Sequence, residues 1–530
     1  MKRRTQTGIL ALCLVLVAAW SALTACSSGG DDTTTLHVLA SPELADMRPV
    51  LDDLEHDTGV RLDLDYRAAN DADDLLVDGG HGYDLAWLSS DRSLRLKLKK
   101  KGGSGAAVPL STPVMRSPVV IGVTRDLAQR LREQVPGGRL SWADIADAAA
   151  TGTVRFGMVD PRHSGSGLVA LVGVATAAAG TGSALRPEDV SCDRLRGFRS
   201  GQTLTADTSR ELIDAFVKDG QRANALITYE SELLALNKSG RLSQPLDIVY
   251  PADGTVLSDY PLLLLDDGRR AAYDRVVDWL TRESHQREIM HRTLRRPVSP
   301  SVRRTPELSA PLANALYFPD DLAVVERLVA DYGDPRRPAG DRVVFLLDFS
   351  GSMRGERAAA LRAAFAGLSG ADSSRTGKFA RFYEGERLTV VRFGGGVLGE
   401  RTVTVRGPDD LRNLQAFIAR DEYDGDTALW SALDHGYRTA AAALREAPRQ
   451  SVSIVLMTDG ENNAGLTYDQ FVRRYRALEP AARRVRTYPV RLGEADAGPL
   501  RRVAAATGGR VVDADGSSLP EAFKEIRGCG

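Results

Sequence analysis

Three short segments of this chain place oxygen-bearing side chains where they can act together. In Asp348-Phe349-Ser350-Gly351-Ser352 a carboxylate and two hydroxyls fall on alternate residues, so one turn can aim all three at a single point. Thr427 closes Asp424-Gly425-Asp426-Thr427, and Asp459 follows Thr458. No Cys or His belongs to the set Asp348, Ser350, Ser352, Thr427 and Asp459. An all-oxygen set suits a hard divalent cation, Mg²⁺ first and Mn²⁺ or Ca²⁺ next. Mg²⁺ takes six ligands at about 2.0–2.1 Å and usually keeps some of its water. A serine-rich turn with an unrelated Thr and Asp is the plain alternative, and the positions of the segments on their elements decide between the two.

A second group sits at strand-to-helix turns. Ser164-Gly165-Ser166-Gly167 precedes the apolar run Leu168–Ala178. Glycine lets backbone N–H groups come close to a ligand, and a helix N-terminus favours anions. Ser41 follows the first strand candidate in the same way, Ser89 and Ser90 follow Trp87, and Tyr229 and Glu230 follow another strand. These residues, with Asp259, are the candidate ligand contacts. Serine at such turns also caps helices, and a glutamate in a cleft is as often an ion-pair partner as a ligand group. Both alternatives stay open on the sequence.

Chemistry of this kind needs strands that end together. From Leu36 to about residue 300, short apolar strands alternate with helical patterns. Strand candidates are Leu36–Leu39, Asp84–Leu88, Val119–Val123, Val154–Met158, Ala225–Thr228 and Leu246–Tyr250, and helices include Ser209–Val217 and Arg269–Thr281. The alternation predicts mainly parallel sheets covered on both faces. Residues 301–340 are punctuated by prolines and read as a linker with one helix, Leu322–Tyr332. A second alternation runs from Asp341. There the strands Val343–Leu347 and Val452–Met457 deliver Asp348 and Asp459 at their carboxyl ends, the edge at which open α/β sheets bind ligands.

Composition bounds the rest. The 530 residues are 43% hydrophobic and 26% charged, enough apolar surface for packed cores and too long a chain for one of them. The net charge of -1 excludes a basic field over the whole chain, and with it the usual footprint of a nucleic-acid binder. No nucleophile–base spacing, Walker loop or zinc pattern is present, so no enzyme is expected.

At the N-terminus, Lys2, Arg3 and Arg4 precede the short apolar run Ile9–Trp20 and then Leu23-Thr24-Ala25-Cys26. The run is too short to span a bilayer. The segment resembles a bacterial lipoprotein signal. That resemblance implies a leader over 1–25, a lipidated Cys26, a tether over 26–35, and a chain held on the extracytoplasmic face of the cell membrane. Cys192 and Cys529 then remain in an oxidising compartment, where they either pair or stay as two thiols.

Residues 341–530 resemble a von Willebrand factor type A domain with its metal-ion-dependent adhesion site: the Asp-x-Ser-x-Ser loop, the later Thr and the Asp after a strand occur in that order. The resemblance implies a doubly wound, Rossmann-like sheet. It also implies direct coordination by Ser350, Ser352 and Thr427, with Asp348 and Asp459 acting through water or at longer range. An ion with few direct carboxylates stays electrophilic and can take an acidic side chain of a protein partner. Residues 36–300 resemble the two-lobed, type II solute-binding domains of bacterial importers. The match rests on Tyr83–Ser90, Ser117–Val123, Asp160-Pro161 with Ser164–Gly167, Tyr229–Ser231, and Tyr250-Pro251 with Asp259–Pro261. More closely, the whole chain is similar to lipoproteins that fuse such a domain to a type A domain. The expected function is metal-dependent binding or adhesion, with the first domain sensing a solute or serving for docking. The alternative is the solute receptor of an ABC-type importer.

Overall fold

The computed structural model describes residues 33–513 apart from 80–81, 103–108, 181–182, 313, 337–340, 373–376, 449, 460–461 and 493–496. The expected leader, Cys26 and Cys529 lie outside the described residues. The chain forms two compact units. One holds the residues up to Ser117 together with Ser258–Ala310; the other holds Pro118–Leu257 and the residues from Pro311 on.

The first unit is built on β1 (Thr34–Ala40), β2 (Val60–Tyr66), β3 (Leu85–Trp87), β4 (Leu110–Pro113) and β11 (Pro261–Leu264), in the order β2-β1-β3-β11-β4. β1 runs parallel to β2 and β3, whereas β11 is antiparallel to β3 and β4. The sheet is therefore mixed rather than mainly parallel. β11 belongs to the segment that returns to this unit after the chain has left it, so no single βαβ crossover fixes its direction. Side-chain alternation builds a core on each face: Leu36, Val38, Leu85 and Trp87 on one, Leu39, Ala86 and Leu88 on the other.

The second unit contains two sheets. The first comprises β5 (Ser117–Val123), β6 (Phe156–Val159), β7 (Gln202–Ala206), β8 (Ala225–Tyr229), β9 (Asp247–Val249) and β10 (Leu257–Ser258). Its order is β10-β5-β8-β6-β7, with β9 also on β5. β6 is parallel to β7 and β8, and β5 is antiparallel to β8 and β9, so this sheet is mixed as well.

The other sheet comprises β12 (Arg342–Asp348), β13 (Arg387–Phe393), β14 (Val397–Thr404), β15 (Val452–Thr458), β16 (Thr487–Arg491) and β17 (Val512–Asp513), in the order β14-β13-β12-β15-β16-β17. All neighbours are parallel except the edge pair β13–β14. β12 is buried along its whole length. Val343, Phe345 and Leu347 pack with Leu361 and Phe365 of the helix Glu356–Ala366, while Val344 and Leu346 pack with Leu429, Leu433 and Tyr437 of the helix Leu429–Glu446. This is the doubly wound arrangement expected. β14 is largely exposed, as an edge strand that pairs through its backbone needs no apolar run.

The helix expected in the linker forms over Leu322–Tyr332 as predicted, but its surroundings differ from those of a linker. Val324, Leu328 and Tyr332 enter the same core as Val119, Ile121, Phe156 and Phe198. The Tyr332 hydroxyl also bonds the side chain of Gln202. Burying an apolar helix face outweighs the proline punctuation that marked the segment as free.

Within this unit the helix Cys192–Ser200 meets the residues around Phe379. Arg194 stacks over the Phe379 ring at 4.3 Å, and Ala150, Phe379 and Tyr383 form a small apolar cluster. Arg196 pairs with Asp341 at 3.2 Å, and Arg199 donates to the carbonyl of Asp334 at 2.7 Å. Cys192 is disulfide-bonded. Gly197 is needed for the approach, since a Cβ there would stand 2.7 Å from the Phe379 ring. Gly197→Leu is therefore expected to cost about 1–3 kcal/mol through overpacking, read as a lower thermal midpoint of the purified chain.

Candidate functional site

The site begins with the burial of β12. A strand covered on both faces carries Asp348 to the carboxyl edge, where its side chain is about 1% exposed. Such a carboxylate needs partners. Its Oδ1 accepts the Ser350 N–H at 2.8 Å, and its Oδ2 accepts the Thr458 hydroxyl at 2.5 Å from the neighbouring strand β15. Burial pushes the Asp348 carboxyl up to about 6; the bonds from Thr458 and Ser350 oppose the rise, and repulsion from Asp459 adds to it.

The loop after β12 then turns back. The Ser350 and Ser352 hydroxyls lie 3.2 Å apart. The Asp424 N–H donates to the Phe349 carbonyl at 3.0 Å, and Ser350 forms an isolated bridge with Asp424. Asp424 in turn accepts from the Gly395 N–H at 3.1 Å. That close approach needs glycine at 394, where a Cβ would meet the Asp424 Cβ at 2.3 Å.

Thr427 is fixed by its backbone. Its N–H donates to the Asn463 side chain at 2.7 Å, its carbonyl accepts from the N–H groups of Asn463 and Ala464, and Ala428 is tied to Gly394 at 2.7 Å. Asp459, about 3% exposed, follows β15 directly. Its Oδ2 accepts from Arg357 Nη1 at 2.7 Å, and the same nitrogen donates to the Ser352 carbonyl at 3.2 Å. Its Oδ1 is buried and meets no hydrogen-bond partner among the described residues.

The structure thus joins Asp348, Ser350, Ser352 and Asp459 in one bonded network and sets Thr427 on the adjoining loop. Sequence reasoning missed Arg357 and the backbone clamps by Asn463 and Asp424. Asp424-Gly425-Asp426 was a visible turn signal; nothing in the sequence pointed Arg357 at Asp459.

The candidate solute contacts divide between the two units. In the first, the Ser41 hydroxyl accepts the Ser89 N–H at 2.9 Å, and the Ser41 N–H donates to Trp87 at 2.9 Å. Ser90 accepts weakly from the Arg92 N–H at 3.4 Å, a local turn bond. The Tyr260 N–H donates to the Ser89 carbonyl at 3.3 Å, which brings Asp259 to the same strand end. Oδ1 of Asp259 is buried with no partner among the described residues. Burial raises the Asp259 carboxyl, Arg92 and Arg116 opposing and Asp91 adding to it.

In the second unit, Gly165 opens the helix Gly165–Ala179, and the Ser164 and Ser166 hydroxyls bond each other at 2.9 Å. Ser41 and Ser164 both stand at helix starts, and neither side chain makes a capping bond. Tyr229 is fully buried in the core of this sheet, and Glu230 accepts the Tyr250 hydroxyl at 2.6 Å. Packing thus gives these two residues structural work. Nearby, Asp160, His163 and Asp207 place ligand-type atoms within 4.8 Å of one another, but Arg162 pairs with Asp160 and Arg336 with Asp207, so protein cations already balance both carboxylates.

The sign of the Asp348 titration is fixed by its burial. A carboxyl held near 6 when folded, against about 3.9 unfolded, adds stability that is full below pH ~4 and lost as the pH rises through 6, roughly 3 kcal/mol in all. In chelator, Asp348→Asn should therefore melt above the unsubstituted chain at pH 7.5, with the gap closing below pH ~4. A lower midpoint at pH 7.5 would contradict the desolvation account.

Residues 36–292 match the profile of the family described as bacterial extracellular solute-binding protein, and residues 343–525 match that of the von Willebrand factor type A domain. Solved structures similar to the chain include iron-bound HitA from Pseudomonas aeruginosa, at 14% identity over 57% of this chain and 100% of that chain, with a TM-score of 0.44. A periplasmic thiamin binding protein shares 13% identity over 57% of this chain and 96% of that chain, with a TM-score of 0.44. AfuA from Actinobacillus pleuropneumoniae, a periplasmic binding protein with exogenous fructose-6-phosphate bound, shares 14% identity over 56% of this chain and 97% of that chain, with a TM-score of 0.42. No curated protein matches. Among the described residues, no helix is long and apolar enough to cross a membrane.

Proposed function

For a chain that carries a bacterial solute-binding domain followed by a von Willebrand factor type A domain, we propose metal-dependent capture of a protein partner at the extracytoplasmic face of the cell membrane. Cys26 supplies the lipid anchor in this reading, and the chain is a binding protein rather than an enzyme.

The observation that carries the proposal is the buried Oδ1 of Asp459, which has no partner among the described residues and belongs to a residue that Arg357 ties to the Ser350–Ser352 loop. A buried carboxylate oxygen without a donor is costly, and a divalent cation with its water is the partner that an all-oxygen set fits. Ser350, Ser352 and Thr427 would coordinate it directly, with Asp348 and Asp459 acting through water; Mg²⁺ is the first candidate, then Mn²⁺ or Ca²⁺. A bound cation would offer an electrophilic centre to an acidic side chain of the partner. The protein's own part is positioning. Thr458 and the Ser350 N–H fix both oxygens of Asp348, and Asn463 fixes the Thr427 backbone.

A second role belongs to the first domain. The uncapped serines Ser41 and Ser164 favour a small solute, as a sensed ligand or as the cargo of an ABC-type importer. A thermal-shift screen of the purified chain against oxyanions, amino acids, peptides and sugars separates the roles. A ligand at 100 times its Kd adds about 2.7 kcal/mol, a shift of a few degrees. A solute hit with no metal dependence anywhere would favour the importer receptor.

Partner capture in Mg²⁺ should be abolished by EDTA, and Ser350→Ala should weaken it at least tenfold while leaving the thermal midpoint in chelator nearly unchanged. Capture that persists through both changes would overturn the reading. Cys26→Ala should release the chain from membranes into the soluble fraction, read by fractionation.

A further inference from the structure

Arg357 is the cation of the site's network, and no ligand pattern calls for it. It lies in the first turn of the helix Glu356–Ala366, on the segment that follows the Asp348–Ser352 loop. Its Nη1 touches Asp459 Oδ2 at 2.7 Å and the Ser352 carbonyl at 3.2 Å, so it binds two of the ligand-bearing segments at once. Arg357 is about 36% exposed, whereas Asp459 is about 1% exposed by side chain. A buried carboxylate held by a half-open guanidinium is an asymmetric pair: the anion is shut off from bulk solvent, while the cation reaches it.

That asymmetry has a consequence for charge. Asp348 and Asp459 bring two negative charges to the site, and Arg357 offsets one of them. The pair also occupies Asp459 Oδ2 and leaves Oδ1 as the oxygen with no partner among the described residues.

Resting on the metal-site reading above, we propose that Arg357 is a fixed counter-cation of this site. It keeps Asp459 from neutralising the ion directly, lowers the affinity for the divalent cation, and so reserves the ion's positive charge for an acidic ligand. Arg357 is a positioning residue: it acts through Asp459.

The test is calorimetric titration of the purified chain with Mg²⁺ alone and with Mn²⁺ alone, together with thermal midpoints in chelator, for the unsubstituted chain, Arg357→Gln and Arg357→Lys. A positive charge about 6 Å from a divalent cation is worth about tenfold in affinity even at the dielectric of water. Arg357→Gln is expected to bind Mg²⁺ about tenfold more tightly and to melt lower in chelator. Arg357→Lys should return both values towards those of the unsubstituted chain. A residue that merely held the fold would move affinity and midpoint down together. Metal binding by the unsubstituted chain with no gain in Arg357→Gln overturns this inference and leaves the metal site standing. An unsubstituted chain that takes neither ion overturns both.

Discussion

A carboxylate at the end of a strand buried on both faces is the constraint from which the rest of the site follows. Asp348 is shut off from bulk water, so the chain must bring donors to it. The register of β15 beside β12 supplies Thr458, and the turn after Asp348 supplies the Ser350 N–H. Those two bonds then fix what comes next along the chain. Ser350 and Ser352 follow Asp348 on its loop, and Asp459 lies one residue beyond Thr458. The parallel pairing of β13, β12 and β15 puts all three strand ends at one edge. Without that alignment the same side chains would lie on separate loops.

The second unit packs two sheets, that of β5–β10 and that of β12–β17, into one body. The helix Leu322–Tyr332 lies in the core of the first sheet, and the chain from there leads into β12. Arg162, next to the Ser164–Ser166 turn, pairs with both Asp160 and Asp334, at 2.6 and 2.7 Å. Asp334 belongs to the segment that enters β12. The Ser164–Ser166 turn and the strand that bears Asp348 therefore share a chain of ion pairs and packed side chains, with Phe379, Arg194 and Asp341 alongside. Spatial continuity of this kind is the physical requirement for coupling, and measured changes at one site on loading the other are what would establish it.

Charge at the two candidate sites is handled in different ways. Around Asp160, His163 and Asp207 the arginines already balance the carboxylates, which is how a structural network persists without an ion. At Asp459 one oxygen is balanced by Arg357 and the other is not. The first arrangement pairs each carboxylate with an arginine; the second pairs one oxygen and leaves the other without a partner among the described residues.

The amino-acid sequence alone determined the two α/β halves, the burial of β12 and β15, and the helix Leu322–Tyr332, because apolar runs and helical spacing are local signals. It also brought out Asp348, Ser350, Ser352, Thr427 and Asp459, since side-chain type and strand ends are both readable along the chain. Tertiary structure decided what depends on contacts between distant residues. It set β11 antiparallel, drew a proline-flanked helix into a core, buried Tyr229, and gave Glu230 to Tyr250. It also turned Arg357 onto Asp459, across 102 positions of chain. No local pattern encodes that last pairing: two oppositely charged residues so far apart become partners only when folding takes the water from one of them.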